Sequence, residues 1–205
     1  MEVREIREKY PYLYETHLHT REASACAKNS AQEMVQAAKD YGYAGIFVTN
    51  HAWYGNTSVD RSLPWEEWVH GFCAPFYTAK AYGDQIGLSV FFGYESCYQG
   101  TEFLIYGVDE EWLLTHPEIK DATITEQLQL VREQGGLVMH AHPFREEAYI
   151  PRVRLFPELV DGVEGINATH SSHLSTAHND PRFDERAIAY AREHDLPMSA
   201  GSDVH

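Results

Sequence analysis

The segment Glu15-Thr16-His17-Leu18-His19-Thr20 places two imidazoles two residues apart in a run of strand character. Side chains alternate between the faces of a strand, so His17 and His19 point the same way. Neutral imidazoles converging on one point begin a metal site, and zinc, manganese and iron accept imidazole together with carboxylate. An isolated pair of this kind is more often two ordinary strand-end histidines, so the remaining ligands must come from elsewhere in the chain. Matching residues recur with a common placement, each just after a short apolar run: His51, Glu95, His142, and the pair Asp203 and His205.

The elements that position these residues alternate in type. Ser30-Ala31-Gln32-Glu33 has the form of a capping box, in which the Ser hydroxyl and Glu carboxylate satisfy free backbone donors. Met34, Val35, Ala38 and Tyr41 follow at helical spacing, and Gly42 stops the helix. Residues 44–49 read as a strand ending in Asn50-His51, and 65–83 as a helix that Pro75 kinks or divides. Residues 88–92 form a buried-strand pattern leading to Gly93-Tyr94-Glu95, and 103–108 are a further apolar run. A second capping box, Thr123 to Glu126, opens a helix that closes at Gly135-Gly136. Residues 137–139 lead into His140-Ala141-His142-Pro143, 162–166 form a strand, 184–194 a helix, and 197–200 a strand before Gly201-Ser202-Asp203-Val204-His205. Alternation of this kind predicts a parallel sheet. In a β/α barrel, residues at the C-terminal ends of different strands converge on one mouth, where such folds place their chemistry. The chain shows no internal repeat or linker, so one domain over residues 1–205 is expected.

Composition narrows the function classes. Of 205 residues, 31 are acidic and 16 basic, a formal charge of -15 that argues against neutralising nucleic-acid phosphates. Divalent cations would cancel part of that charge locally. The cysteines Cys26, Cys73 and Cys97 are odd in number and widely spaced, so neither a disulfide framework nor a Cys-x-x-Cys site is suggested. No apolar run approaches the roughly 20 residues that span a bilayer, and the charged segment from Met1 to Lys9 is unlike a signal peptide. A cytoplasmic protein is the default expectation. Oligomeric state leaves no trace in the sequence.

Five motifs together resemble the PHP family, named for polymerase and histidinol phosphatase: His17-Leu18-His19-Thr20, Val48-Thr49-Asn50-His51, Gly93-Tyr94-Glu95, Ala141-His142-Pro143 and Gly201-Ser202-Asp203-Val204-His205. The resemblance implies a distorted (β/α)7 TIM-like barrel that holds two or three divalent metal ions (zinc, manganese or iron) and hydrolyses phosphate esters. Carried over by position, the first metal would take His17, His19, Glu95 and Asp203. Glu95 would bridge to a second metal, also held by His142, and His51 and His205 would hold a third.

The sequence departs from the family pattern at three places. Where many members have a further imidazole for the second metal, this chain has Phe103-Leu104-Ile105-Tyr106-Gly107, and His140, two residues before His142, is a candidate substitute or a hydrogen-bonding support. Ser24-Ala25-Cys26 puts Cys26 where a third-metal ligand is usual, as a ligand or as an inert small side chain. Asn50 stands where the family has an aspartate, which removes a charge near the third metal.

The resemblance implies a metal-bound hydroxide as nucleophile acting on a small phosphomonoester. Asp203 or a nearby histidine, His205 among them, would relay a proton to the leaving oxygen. Arg145 is placed to bind the phosphate in bidentate fashion or to lie at the surface, with Arg21 a weaker candidate. His170 and His173 would line the mouth or sit in a loop, and His70, His116, His178 and His194 receive no role. Trp53, Tyr54 and Tyr94 would stack on an aromatic substrate or pack in the core. Ser202 lacks a Gly-x-Ser-x-Gly elbow and is not read as a nucleophile. The competing readings are an amidohydrolase-like hydrolase of C-N or C-O bonds and a metal-binding regulatory module without turnover. Family members usually continue past the position of His205, so either an unusual closure or a chain shorter than the natural protein is expected.

Overall fold

The computed structural model describes residues 3–175 and 177–205. Seven strands form one sheet in which spatial order follows chain order: β1 (Tyr14–Leu18), β2 (Gly45–Val48), β3 (Ser89–Tyr98), β4 (Thr101–Tyr106), β5 (Leu137–Ala141), β6 (Gly162–Asn167) and β7 (Met198–Gly201). The sheet curls until its ends meet. Just past β7 the Asp203 amide donates to the His17 carbonyl at 2.9 Å, and the His19 amide donates to the Val204 carbonyl at 3.0 Å. The result is the nearly closed, seven-stranded α/β barrel that the motifs implied. Six helices, α1 (Val3–Lys9), α2 (Ala31–Asp40), α3 (Trp65–Ile86), α4 (Glu110–Thr115), α5 (Ile124–Glu133) and α6 (Arg182–Glu193), occupy the connections and the N-terminus. Among the described residues no helix is long and apolar enough to cross a membrane.

Local sequence explains most of these elements. Both capping boxes form reciprocally, Ser30 with Glu33 at the start of α2 and Thr123 with Glu126 at the start of α5. Behind the first of them, Ala31, Met34, Val35 and Ala38 bury one face of α2 against Ile46, Val48 and Leu88. A second and larger cluster lies outside β3 to β5, where Trp68, Phe72, Tyr94, Phe103, Leu128 and Val138 pack together. Pro75 does not divide α3; the helix runs through it, because Trp68, Val69 and Phe72 before it and Ala79 after it are all buried.

The sheet is not wholly parallel. β4 runs antiparallel to both β3 and β5. Only Gln99 and Gly100 connect β3 to β4, with φ values of 53° and 79°. Two residues in left-handed geometry make a tight hairpin, whereas a parallel crossover needs about a dozen. The hairpin also carries β3 beyond Glu95 to Tyr98, further than the apolar run suggested. Directly paired residues project to one face, so Glu95, Leu104 and Met139 look into the barrel. Leu104, Tyr106, Ala141, Phe47 and Met139 fill its interior beneath the polar mouth.

Candidate metal centre

His17 and His19 emerge at the end of β1 and are fully buried. His17 Nε2 lies 3.4 Å from Glu95 Oε1 and 3.4 Å from Asp203 Oδ1, and His19 Nε2 lies 3.3 Å from Asp203 Oδ1 and 3.6 Å from Glu95 Oε2. His142 Nε2 is 3.1 Å from Glu95 Oε1. On the other side, His51 Nδ1 approaches Glu95 Oε2 to 2.7 Å, and the rings of His51 and His205 stack on His19 at 4.2 and 4.5 Å. The strand ends therefore bring all seven predicted residues into one cluster. They fall into three overlapping groups: His17, His19 and Asp203; His17, Glu95 and His142; His19, His51 and His205.

A ring of buried hydrogen bonds fixes which nitrogen each imidazole turns inward. His17 Nδ1 faces Glu164 Oε1 at 2.8 Å, so its proton sits there and Nε2 keeps a lone pair toward the cluster. His19 Nδ1 contacts Ser24 Oγ at 3.2 Å, and that hydroxyl donates in turn to Asn50 Oδ1 at 2.9 Å, which makes His19 Nδ1 the donor. Asn50 also accepts from the Thr20 amide at 2.7 Å and donates to the Thr20 hydroxyl at 3.0 Å, so here the amide is the hub of the loop that orients His19. Glu164, from β6, accepts further from the His142 amide and from Asn167 Nδ2, both at 3.0 Å.

The inward-facing atoms are left without partners. His17 Nε2, His19 Nε2, His51 Nδ1 and Glu95 Oε2 are all buried and lack a hydrogen bond, the last two despite their 2.7 Å separation. Unpaired polar atoms at such depth are costly unless something charged sits among them. The charge balance points the same way. Glu95, Glu102, Glu164 and Asp203 are buried around the mouth, and among the described residues Arg145 is the one buried lysine or arginine. Burial opposes protonation of His17, yet the carboxylates of Asp203, Glu164 and Glu95 outweigh it and hold the imidazole well above its ordinary value. His19 is pushed down to about 3 by burial and by His51 beside it. This donor set, imidazole and carboxylate in a field of excess negative charge, fits divalent cations.

Two ligand candidates sit in left-handed backbone, His142 at φ 26° and Asp203 at φ 52°. Such strain concentrates at functional sites. At His142 it also decides which histidine faces inward. Ala141 pairs with Glu102 on the inner face and His140 with Phe103 on the outer one, and the kink at His142 breaks the alternation. His140 therefore does not share a face with His142. It is buried against Phe103 and Phe156, with ring centroids 4.8 and 6.4 Å away, and burial followed by the charges of His142 and Arg154 lowers it to about 3. Cys26 lies against His51 and His205. Burial alone would raise its thiol, but those two imidazoles bring it down to about 6.

Arg145 is buried rather than superficial. Its Nη2 donates to Asp203 Oδ2 at 2.7 Å and to Thr169 Oγ1 at 3.1 Å, and its Nε points at His170 Nε2 at 3.3 Å. His170 is not a free loop residue: it is buried, with Nδ1 2.6 Å from Asp184 Oδ1. His173 is exposed, and Arg21 lies at the surface 3.6 Å from Glu33. Trp53 packs on Trp65 and Trp68, and Tyr94 is buried in the outer core, so neither reaches the mouth. Ser202 offers its amide to Glu15 Oε1 at 2.9 Å as part of the turn after β7. An open cleft of about 900 Å³ covers the cluster, with His51, Glu95, Arg145, Asp203, His205 and the exposed Tyr54 on its walls.

No protein-family model and no curated protein sequence matches the chain. Solved structures do. A protein of Bifidobacterium adolescentis named by inference as a metal-dependent phosphoesterase superposes with a TM-score of 0.62 at 14% identity, over 95% of this chain and 88% of that one. A two-domain protein of Bacteroides vulgatus containing a predicted PHP-like metal-dependent phosphoesterase gives 0.65 at 16% identity, over 94% of this chain and 51% of its own length. The chain shares the barrel fold of both. An amidohydrolase of Chromobacterium violaceum, solved with bound sulfate and no metal, gives 0.63 at 12% identity over 94% of this chain and 87% of that chain.

Sequence reasoning passed over Glu164 and Glu102. Each left a signal: a lone carboxylate inside an apolar strand, Gly162-Val163-Glu164-Gly165-Ile166 and Thr101-Glu102-Phe103-Leu104-Ile105. A charge at a buried strand position is rare without a partner.

Proposed function

We propose that the chain is a metal-dependent phosphoesterase that hydrolyses a small phosphomonoester. The observation that carries this reading is the set of unpaired, buried imidazole and carboxylate atoms turned toward one centre beside the buried Arg145. His17, His19, Glu95 and Asp203 would hold a first cation, Glu95 and His142 a second, and His51 and His205, with Cys26 beside them, a third. Bound divalent cations would supply Lewis acidity, activating water near neutral pH and neutralising phosphoryl oxygens.

The remaining work falls to the chain itself. Arg145 opens on the cleft and is anchored through Nη2 by Asp203 and Thr169 and through Nε by His170, so its remaining Nη1 group would receive a phosphate oxygen in fixed orientation. Asp203 Oδ2 accepts from both Arg145 and Asn167, which fixes the carboxylate, while its Oδ1 faces the imidazoles. His205 is the most exposed imidazole of the cluster and lies 3.8 Å from Asp203 Oδ1; it would ligate the third cation when that position is filled and, when it is not, would pass a proton to a departing alkoxide.

An amidohydrolase of the carbamylated-lysine kind is disfavoured, because none of the seven strands contains a lysine and Glu95 would take the bridging role. The test uses the full chain, stripped with a chelator and reloaded with manganese, zinc or ferrous iron, against an aryl phosphate, sugar phosphates, amides and lactones. Metal-restored cleavage of phosphomonoesters is expected, with His19→Ala abolishing turnover and lowering metal content. Cleavage of amides or lactones with phosphates left intact would overturn the proposal.

A further inference from the structure

The strand after Glu95 carries a carboxylate for which the family resemblance makes no provision. Where an imidazole for the second cation is expected, β4 turns Leu104 inward, directly opposite Glu95. The next inward position toward the mouth is Glu102, paired with Cys97 on β3 and with Ala141 on β5. Its Oε2 stands 3.3 Å from His142 Nε2, the same nitrogen that Glu95 Oε1 approaches to 3.1 Å. Two ligands about 2.1 Å from a shared ion stand roughly 3 to 3.4 Å apart, so each carboxylate is at ligand spacing from that imidazole.

Glu102 feels a counter-charge only at longer range, from the Arg145 guanidinium, which is itself bonded to Asp203. The Glu102 side chain is 11% exposed, and among the described residues no lysine or arginine comes within 4 Å of it. The neighbour opposite it, Cys97, has a thiol pushed up by burial and by Glu102 itself, so it offers neither charge nor neutralisation. A buried carboxylate without a close cation is costly, and an ion between Glu95, His142 and Glu102 would remove that cost.

We propose that Glu102 is a ligand of the second cation and that this position, built from Glu95, Glu102 and His142, selects a hard, oxygen-preferring ion such as manganese or magnesium. Two carboxylates and one imidazole suit such ions, whereas the neighbouring group of His19, His51 and His205, with the Cys26 sulfur beside it, suits zinc. The assignment rests on the metal-dependent reading of the site and goes beyond it by naming a ligand and an ion class.

The test measures metal directly. Full-length protein, Glu102→Gln and Glu102→His are stripped, then titrated calorimetrically with manganese alone, and separately dialysed against an equimolar manganese and zinc mixture before elemental analysis. The amide keeps the shape of the side chain without its charge, and the histidine supplies the imidazole of the family pattern. Glu102→Gln is expected to weaken one manganese site at least tenfold, and Glu102→His to move the bound manganese-to-zinc ratio toward zinc by a similar factor. Wild-type manganese affinity and stoichiometry in a folded Glu102→Gln variant would overturn the assignment. If that variant fails to fold, an unchanged metal ratio in Glu102→His overturns it instead. A chain that binds manganese through Glu102 yet cleaves no phosphoester keeps this assignment and loses the proposed function; phosphoester cleavage by a fully manganese-loaded Glu102→Gln variant does the reverse.

Discussion

Glu164→Gln tests how much of the site depends on a residue that touches no cation in the proposed arrangement. The carboxylate receives three hydrogen bonds, from His17 Nδ1 at 2.8 Å on Oε1 and from the His142 amide and Asn167 Nδ2 at 3.0 Å on Oε2. A glutamine has one acceptor oxygen where glutamate has two. Whichever way the amide turns, an N–H meets an N–H, and either His17 or the His142 and Asn167 pair loses its acceptor. Hydrogen bonds to a charged group contribute about 1.5–3 kcal/mol each, so a loss of roughly 2–4 kcal/mol is expected for the metal-loaded protein. At about 2–4 °C per kcal/mol for a domain of this size, the melting temperature should fall by roughly 5–15 °C. Since Glu164 orients His17, cation affinity should drop about 10–100-fold. Differential scanning calorimetry with and without manganese, followed by calorimetric titration, reads both quantities. A variant that melts with the wild type and binds manganese as tightly would refute the claim that Glu164 sets the tautomer and aim of His17.

Two further substitutions probe the frame around the site. Gly201→Ala would place a Cβ 2.5 Å from Glu164 Oε1 and 2.6 Å from His17 Cβ, both held by hydrogen bonds or strand pairing. Overpacking of this kind costs about 1–3 kcal/mol, which urea unfolding should register together with reduced metal content; wild-type stability would contradict the close approach. His170→Ala removes the support behind Arg145 Nε while leaving Asp203 and Thr169 in place. KM for a phosphomonoester should rise roughly tenfold with a smaller change in kcat, the value of one charge-assisted hydrogen bond, and an unchanged KM would show that His170 does not position Arg145.

Much of the fold was legible because it is written in local patterns. The capping boxes at Ser30 and Thr123, and the apolar runs that end in His51, His142 and Asp203, each specify an element and its end without help from the rest of the chain, whereas the run before Glu95 specifies a strand but not its end. The antiparallel β4 was not legible from apolar runs alone, although Gln99-Gly100 is a hairpin turn once the strands on either side are recognised. His140 shows the limit of periodicity more sharply. A spacing of two places residues on one face only while the strand stays regular, and a single left-handed φ at His142 reverses the outcome. Glu164 and Glu102 escaped for another reason: their roles depend on long-range partners, His17 at the far end of the chain and His142 across the sheet, which a linear reading does not bring together.

The seam between β7 and β1 gives the proposed cations a mechanical role. His17 and Asp203 stand at opposite ends of the described chain and meet only because the sheet closes, through two backbone hydrogen bonds at 2.9 and 3.0 Å. An ion held jointly by these two residues would be a removable cross-link over nearly the whole sequence. On a chain-entropy argument, closing so long a loop restrains the unfolded ensemble by roughly 5 kcal/mol, comparable with a well-placed disulfide. Loading the site would then latch the barrel, and stripping it would leave the first and last strands joined by that backbone pair and by the bonds of the Thr16 hydroxyl to the Ala200 carbonyl and of the Ser202 amide to Glu15.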